Sequence, residues 1–314
     1  MATETLDLSR LAKYFSDEDA ARTLLEEMRW GGNPTCPHCG GLNPYTLTPR
    51  KAGAKTRKGL YKCRACRKQF TVTVKTVFED SRIPLSKWLL AIHLMGSSKK
   101  GMSAHQIHRM LGISYKAAWF MMHRLRYAMR SGPLSDLMKG VVEIDETYVG
   151  ARAKRGTRRG RPGEESHKTP VVALVERGSG RVRAFTMPRV TADNLQAAID
   201  ANVSPYATMM TDEYKPYEVV AEKTDRFHKT VNHSKGEYVR GRVHSNTVEG
   251  FFSLLKRGIN GSFHHVSRGH LDRYCDEFAF RYENRKATDG ERANLLVRGA
   301  EGKRLTYQQP AKAS

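Results

Sequence analysis

Three acidic residues lie within or directly after apolar runs, where enzymes commonly place carboxylates that hold metal ions. Asp145 lies within the run 141–149, Asp212 follows the run 207–211, and Glu249 lies on a predicted helix. Cutting and joining phosphodiesters requires an activated nucleophile and a stabilised leaving oxygen, which two divalent ions about 3.5–4 Å apart provide. Mg²⁺ prefers carboxylate oxygens and keeps part of its water, so two or three acids suffice. The pattern predicts phosphoryl-transfer chemistry at these acids.

Either aspartate alone has a simpler explanation, because an aspartate at a strand end is usually a turn former or a helix cap. The two reinforce each other when they occur together. The alternation of a strand places Glu143, Asp145 and Thr147 on one face, opposite Val142 and Ile144. We therefore expect Asp145 to be central to the site.

The predicted helix that carries Glu249 presents several polar side chains on one face. Asn246, Ser253 and Lys256 join Glu249 there, because the steps between them are three or four residues. One face would then hold a metal ligand and a cation that binds phosphate. A surface ion pair between Glu249 and Lys256 is the alternative, but seven residues span two helical turns, which is too far for such a pair.

Four of the five cysteines form two C-x2-C pairs with 23 residues between them. The pairs are Cys36 with Cys39 and Cys63 with Cys66, and such knuckles place four thiolates around one tetrahedral Zn²⁺. Because a four-cysteine site is closed, we expect this zinc to fold its module and not to catalyse. Redox activity is the alternative for each pair, but no thioredoxin-like pattern accompanies them. Cys275 is expected to be a core residue.

The composition indicates a folded, basic protein that binds polyanions. Lys and Arg number 54 against 32 acids, and the resulting net charge of +22 attracts nucleic acid. A ribosomal-type or merely soluble basic protein is the alternative. The apolar content of 39% suffices for folded cores, while no run approaches the ~18 apolar residues of a membrane span. The first residues lack the layout of a signal peptide, so we expect a cytoplasmic protein without membrane contact.

Residues 81–132 are predicted to form three helices, the last two joined by a tight turn at 111–113. Ser103 and Ser114 suit the N-caps of these two helices. The pattern is typical of a helix-turn-helix, whose second helix enters a DNA groove. The basic residues expected to contact DNA from that helix are Lys116, Arg124 and Arg126. A plain structural bundle is the alternative, because any three-helix bundle can contain such a turn.

Beyond a linker-like stretch at 131–140, the hydrophobic period changes from helical to strand-like. The predicted order is strand, strand, strand, helix, strand, and a long helix follows at about 246–257. This order is typical of the ribonuclease-H-like α/β core, whose mixed sheet carries acids at its strand ends. We therefore expect a multidomain protein with a small N-terminal zinc ribbon, a three-helix helix-turn-helix region and a ribonuclease-H-like catalytic core. The expected boundaries are a helical lead-in at 1–30, the ribbon at 31–80, the helix-turn-helix region at 81–132, the catalytic domain at 133–290 and a C-terminal tail at 291–314.

A strongly basic segment at 151–169 separates the first two predicted strands and lacks any apolar period. Such a composition is typical of a flexible loop. Beside an active site it would contact DNA phosphates through residues such as Arg158 and Arg159. A solvated insertion is the alternative, although the nearly uniform sign of its charge favours contact.

Three motifs carry a resemblance to a known family: IDETYVG around Asp145, TDEY around Asp212, and HSNTVEGFFSLLKRGINGSFHHVSRGHLDRYCDEFAFRYENR from His244 onward. With the zinc ribbon and the helix-turn-helix before them, they resemble the Merlin-related insertion-sequence transposases, a bacterial branch of the Asp-Asp-Glu superfamily. The resemblance covers nearly the whole chain. It implies that Asp145, Asp212 and Glu249 hold two Mg²⁺, for which Mn²⁺ can substitute, and that Lys256 contacts a DNA phosphate.

We also expect DNA contacts by Arg257, Asn246 and His244, with a structural hydrogen bond or general-base catalysis as the alternatives for His244. Asn246 is also an alternative third member of the triad, because some related groups carry an asparagine in that role. Metal chemistry favours the carboxylate of Glu249.

The implied reaction is cleavage at the ends of an insertion sequence, followed by joining of the freed 3′-hydroxyls to target DNA. The expected partners are terminal inverted repeats and target DNA, bound by a homodimer or a larger assembly at the bacterial nucleoid. Two other functions stay open. They are a non-enzymatic DNA-binding regulator that uses the zinc ribbon and helix-turn-helix, and a ribonuclease-H-like, structure-specific nuclease.

Overall fold

The chain forms two units, which the computed structural model describes over residues 12–14, 16–48, 58–130, 136–150 and 168–308. The first unit is built from two separate segments of the chain, Met1–Met129 and Ala287–Gln309. The second unit is formed mainly by Arg130–Lys286. None of the described helices is long and apolar enough to cross a membrane.

The first unit begins with a helix and a small ribbon. Helix α1 (Glu18–Trp30) begins after Asp17, whose side chain accepts N–H groups of its first turn. Three antiparallel strands follow, namely β1 (Pro44–Thr46), β2 (Tyr61–Cys63) and β3 (Gln69–Phe70). Apart from its cysteines, the core of the ribbon contains the rings of Trp30, Tyr61 and Phe70. So small a core needs a further constraint to be stable.

Three helices follow in the first unit, as the hydrophobic period predicts. They are α2 (Leu85–Ser97), α3 (Ala104–Leu111) and α4 (Tyr115–Met129). The predicted N-caps are confirmed, because the hydroxyls of Ser103 and Ser114 each accept a backbone N–H at 3.2 Å. Gly112 has a φ of 57°, and this left-handed conformation ends α3 with a sharp turn. The turn separates α3 from α4 by only three residues.

A five-stranded mixed sheet forms the centre of the second unit. Its strands are β4 (Val141–Gly150), β5 (Lys168–Glu176), β6 (Val182–Thr186), β7 (Thr208–Thr211) and β8 (His228–Thr230). Their spatial order is β6-β5-β4-β7-β8. The first three strands pair antiparallel, while β7 pairs parallel with both β4 and β8. This is the mixed sheet expected for a ribonuclease-H-like core, so this part of the predicted fold class is confirmed.

Helices cover both faces of this sheet. Val142 and Ile144 of β4 pack into a core with α5 (Ala192–Asn202) and α6 (Lys215–Thr224). After β8 the chain forms a short hairpin of β9 (Val239–Arg240) and β10 (Val243–His244). Two helices then cover the opposite face, α7 (Asn246–Gly258) and α8 (Leu271–Glu283). The alternation predicted for β4 therefore divides its side chains between two helical layers.

Residues 291–299 differ from the tail predicted for the end of the chain. They belong to helix α9 (Asp289–Gly299), which packs against α2 in the first unit. Thr288 and Glu291 form a capping box that starts the helix. At the contact, a Cβ atom on Gly96 would lie 3.3 Å from the backbone nitrogen of Ala293, so glycine permits the close approach. The apolar stripe of α9 is short, which is why the sequence pattern did not reveal it.

Candidate active site

Asp145 lies in the middle of β4 and is partly buried. Its Oδ1 accepts the backbone N–H of Glu146 at 2.8 Å. Burial raises the pKa of Asp145 to about 7; this N–H opposes the shift, and the carboxylates of Glu146, Asp212 and Glu249 add to it. The structure thus brings the three predicted acids into one electrostatic cluster around Asp145.

Asp212 directly follows β7, the parallel neighbour of β4. In this pairing Met210 lies opposite Glu143. The same register, continued by two residues, leads to Asp212 and Asp145 on adjacent strands. Oδ1 of Asp212 accepts the backbone N–H of Tyr214 at 3.0 Å, and burial raises the pKa of Asp212. The parallel pairing is the reason that two acids far apart in sequence meet.

Glu249 lies in the first turn of α7, and its side chain is 48% exposed. The hydroxyl of Ser245, which is buried, donates to Oε1 of Glu249 at 3.0 Å. That hydrogen bond directs an otherwise mobile carboxylate. The side chain is thus held by its own helix start while its charge faces solvent and the other acids.

A cleft next to these acids has walls from β4 and α7. Glu249, Ser253 and Lys256 all line it, so three of the four residues predicted to share a face of the helix do so. Asn246, the fourth, is exposed at the start of α7 and does not line the cleft. The cleft residues are Asp145, Glu146, Thr147, Glu249, Phe252, Ser253, Lys256, Arg257, Asn260 and Gly261. The cleft therefore combines acids with two cations.

Glu146 is a fourth acid of the cluster that the sequence reasoning did not select. The hydroxyl of Tyr217, a fully buried residue of α6, donates to Oε2 of Glu146 at 2.6 Å. Burial raises the pKa of Glu146, while this hydrogen bond opposes the shift. The sequence does contain one indication of Glu146, because it is an acid on the same face of β4 as the buried residues Val142 and Ile144.

Glu143 is fully buried and binds the start of α7. Its carboxylate accepts the N–H of Thr247 at 2.7 Å, the N–H of Val248 at 3.0 Å and the hydroxyl of Thr247 at 2.7 Å. Arg177 forms an ion pair with the same carboxylate. A carboxylate at a helix N-terminus satisfies free N–H groups and interacts favourably with the helix dipole. Sequence reasoning placed Glu143 on the correct face but gave it no role.

His233 is a further residue near the acids that sequence reasoning missed. It begins a turn of 3-10 helix, His233–Lys235, and its Nε2 lies 3.9 Å from Oε1 of Glu249. Within the described part of the chain this nitrogen makes no hydrogen bond, although it is buried. The imidazole also opposes the rise in the pKa of Asp212. No periodic pattern marks a turn residue of this kind.

The four paired cysteines meet in the ribbon. The Sγ atoms of Cys36 and Cys66 are 3.7 Å apart, those of Cys39 and Cys63 are 3.6 Å apart, and all four ligand atoms lie within 4.8 Å of one another. Both knuckles have the same turn, because the residue after each second cysteine has positive φ, 75° at Gly40 and 60° at Arg67. Four sulfur atoms at this spacing fit one structural Zn²⁺.

Comparisons with known proteins match both parts of this architecture. Residues 137–283 match the family model of the ISXO2-like transposase domain, and residues 16–69 match that of the transposase zinc-ribbon domain. A protein of the transposable element ISH50 from Halobacterium salinarum, itself uncharacterised, is 30% identical over an alignment of 288 positions that covers 86% of this chain and 92% of that protein. The chain belongs to the zinc-ribbon insertion-sequence transposases of the Asp-Asp-Glu type.

Two solved structures are similar to the transposase at low sequence identity. One is the intasome of simian T-cell lymphotropic virus in complex with the PP2A regulatory subunit B56 gamma, with 16% identity and a TM-score of 0.29; the match covers 61% of the transposase and 64% of that chain, less than two thirds of its length. The other is the HTLV-2 integrase catalytic core domain in complex with magnesium, with 13% identity and a TM-score of 0.28, covering 46% of the transposase and 85% of that chain.

The predicted DNA contacts of the transposase lie in different surroundings. Lys256 and Arg257 line the cleft beside the acids. The half-buried ring of His244 is instead engaged, with Nδ1 at 2.9 Å from a guanidinium nitrogen of Arg177 and at 3.4 Å from Oε1 of Glu143. His244 therefore belongs to the cluster that holds the start of α7, which fits a structural hydrogen bond, the alternative to a DNA contact.

The basic residues predicted to project from α4 also differ from one another. Lys116 is exposed, with its Nζ 4.8 Å from the centre of the Tyr307 ring. Arg124 and Arg126 are buried, and Arg126 is only 2% exposed, so neither guanidinium is presented on the surface of the first unit. Both lie within residues 121–126 of α4, a stretch that is buried on all sides, and hydrophobic periodicity could not reveal such burial for a charged residue. Arg158 and Arg159 lie outside the described residues.

Proposed function

We propose that this transposase cuts the ends of its insertion sequence and joins the 3′-hydroxyls to target DNA through Asp145, Asp212 and Glu249. The observation that carries the proposal is the electrostatic cluster around Asp145, whose pKa is raised to about 7 by burial and by neighbouring carboxylates. Mutually repelling acids that are gathered around a partly buried carboxylate are costly unless a cation neutralises them. The arrangement therefore favours a cation site over a set of structural caps.

The donor set fits hard divalent ions. All three predicted ligands, and Glu146 beside them, offer carboxylate oxygens, which Mg²⁺ prefers and Mn²⁺ accepts. Two bound Mg²⁺ ions would activate the attacking hydroxyl or water and stabilise the leaving oxygen. We assign their binding to Asp145, Asp212 and Glu249.

The other residues of the site orient these acids and bind DNA. The N–H of Tyr214 fixes the carboxylate of Asp212, and the hydroxyl of Ser245 fixes that of Glu249. Lys256 and Arg257 stand on the cleft wall where the phosphates of a bound strand would pass. Asn246 stays an alternative third member, but its position outside the cleft favours Glu249.

The first unit supplies recognition in this proposal. The zinc ribbon and the α3–α4 pair bind the terminal inverted repeats, with Lys116 as an exposed cation on α4. Two ends must be joined to one target, so the active species is a homodimer or a larger assembly on DNA at the bacterial nucleoid. The basic segment at 151–169 contacts the same DNA. These assignments rest on charge and fold pattern.

The experiment that tests the proposal is a strand-joining assay. A labelled duplex of the element's own end is incubated with supercoiled plasmid and Mg²⁺, and the label is expected to enter the plasmid covalently. Asp145→Asn abolishes both cutting and joining while the duplex is still bound. Asp193→Asn is the matched control, because Asp193 is an exposed aspartate on α5 and its only described ion pair is at the surface, with Lys223.

Three results would contradict the proposal. Cutting without any joined product would instead favour a structure-specific nuclease. Undiminished cutting by Asp145→Asn would show that the reaction does not use this cluster. Binding without either reaction, under all metal conditions, would favour a DNA-binding regulator.

A further inference from the structure

The ring of Tyr238 forms an exposed aromatic surface beside the acids. Tyr238 directly precedes β9, and its ring is stacked on that of His233 with 5.1 Å between centroids and an angle of 28° between planes. The side chain remains 60% exposed. Because His233 covers one face of the ring, the exposed area lies mainly on the other face and the edge. An exposed tyrosine held flat in this way is a prepared stacking surface.

This surface lies close to the place where we propose that the chemistry occurs. Nε2 of His233 is 3.9 Å from Oε1 of Glu249, so a single imidazole separates Tyr238 from the third acid. The chain from Tyr238 onward forms the β9–β10 hairpin and then enters α7 through Ser245. A group stacked on Tyr238 would be near a strand bound in the cleft.

The charges around Tyr238 favour a polyanion. Lys235, Arg240 and Arg242 are all exposed, and Glu237 is the one acid between residues 235 and 242. Arg240 is engaged with Glu237 at 3.7 Å. Within the described residues, the side chains of Lys235 and Arg242 make no ion pair, so both cations are available to phosphates.

We propose that Tyr238 stacks on a base of the DNA strand one or two nucleotides from the scissile phosphate, with Lys235 and Arg242 binding adjacent phosphates. The proposal rests on the assignment of the cutting site to Glu249 and its neighbours. Aromatic side chains next to cations are the usual platform for unpaired bases, because every base offers a flat face for stacking. A second copy of the chain could also cover an exposed tyrosine, but the excess of positive charge around Tyr238 would repel an identical surface.

The test measures binding, so it is independent of cutting. All proteins carry Asp145→Asn, and each binds a duplex of the element's end in which a single abasic nucleotide is moved along both strands near the cleavage position. Tyr238→Ala, Tyr238→Phe and unchanged Tyr238 are compared. Tyr206→Ala is the matched control, because Tyr206 is 89% exposed and does not line the cleft.

We expect Tyr238→Ala to weaken binding of the intact duplex about tenfold, as loss of one base–aromatic stack does. Tyr238→Phe should stay within about twofold of the unchanged protein, because the ring and not the hydroxyl makes the contact. At one abasic position, the unchanged protein and Tyr238→Ala should bind equally well. That coupling identifies the stacked base.

Three results would overturn the stacking proposal. Tyr238→Ala could weaken every abasic duplex by the same factor as the intact one, Tyr238→Phe could be as weak as Tyr238→Ala, or Tyr238→Ala could alter self-association in the absence of DNA. None of these results bears on the acids. Those are tested separately, by cutting and joining with Asp145 restored.

Discussion

The carboxylate of Glu143 accepts the backbone N–H of Thr247 at 2.7 Å, which ties the central strand to the first turn of the helix that carries Glu249. Asp145 lies two residues further along the same strand. One buried side chain therefore fixes the relation between the first and third acids. Arg177 reinforces this link, because it binds Glu143 and also donates to the carbonyl of Arg242 at 2.6 Å, in the segment that leads into the helix.

We predict that Glu143→Ala lowers the free energy of unfolding by about 3–5 kcal/mol, because Arg177 loses its buried partner and two helix N–H groups lose their acceptor. The double variant Glu143→Leu with Arg177→Leu should regain part of that stability but not the cutting activity, since the helix start stays without an acceptor. Denaturant unfolding and end cutting measure the two effects. Glu222→Ala, on the exposed side of α6, is the control. Full activity in the double variant would show that Glu143 does not position Glu249.

We predict that Asp145→Asn stabilises the Mg²⁺-free protein at alkaline pH. The folded state raises the pKa of Asp145 from 3.8 to about 7, so the protonated form favours folding at low pH and this contribution is lost as the pH rises through about 7. At 1.36 kcal/mol per pKa unit, the gain from the substitution at about pH 8 is on the order of 2–4 kcal/mol. This gain in stability should disappear near pH 4. Thermal unfolding in zinc-loaded protein without added Mg²⁺ measures it, and a gain of equal size at both pH values would contradict the assignment.

We predict that Lys256→Ala weakens binding to DNA of any sequence by a similar factor. Its exposed ammonium lines the cleft, and a phosphate contact of this kind releases about one counterion. The slope of log K against log salt should therefore fall by about 1. Lys223→Ala, an exposed lysine on α6 outside the cleft, should leave the slope unchanged. A loss restricted to one DNA sequence would mean that Lys256 reads bases instead.

We predict that the protein contains one Zn²⁺ per chain and that Cys36→Ser unfolds the ribbon without unfolding the second unit. The ribbon's core is too small to persist alone, so the free energy of zinc binding is also its folding free energy. Binding to element ends should be lost, while the thermal transition of the second unit remains. Metal analysis, gel-shift assays and calorimetry report these effects. If a zinc-free variant still bound the element's ends specifically, the folded ribbon would not be required for recognition.

Much of the site could be predicted from the sequence, because its signals are local. The C-x2-C pairs specify four sulfur ligands by spacing alone, and a period of two placed Glu143 and Asp145 on one face of β4. Lys256 follows from helical spacing after Glu249. Each of these patterns depends only on spacing along the chain or within one element, so it can be interpreted without knowledge of the tertiary structure.

The residues that were missed are defined by contacts between elements. Tyr217 reaches Glu146 from α6, His233 reaches Glu249 from a turn, and no periodicity connects such pairs. The prediction that Arg124 and Arg126 contact DNA failed for a different reason. A charged residue on a helix is expected to face solvent, and only the tertiary structure shows that these two are buried. The assignment of residues 291–299 to a tail failed because the apolar stripe of α9 is short, and its partner helix α2 lies about two hundred positions earlier in the chain.

The packing of α9 against α2 has a consequence for the protein during its own synthesis. The first unit draws on Met1–Met129 and on Ala287–Gln309, so a growing chain holds an incomplete first unit while the second unit emerges. Domains formed from contiguous sequence fold as they leave the ribosome, whereas this one must wait for its last helix. Ribosomes that stop before residue 289 would release chains with an assembled catalytic fold and an unfinished partner, with the Gly96 surface of α2 left bare. The synthesis of Ala287–Gln309 is thus the step that completes the first unit.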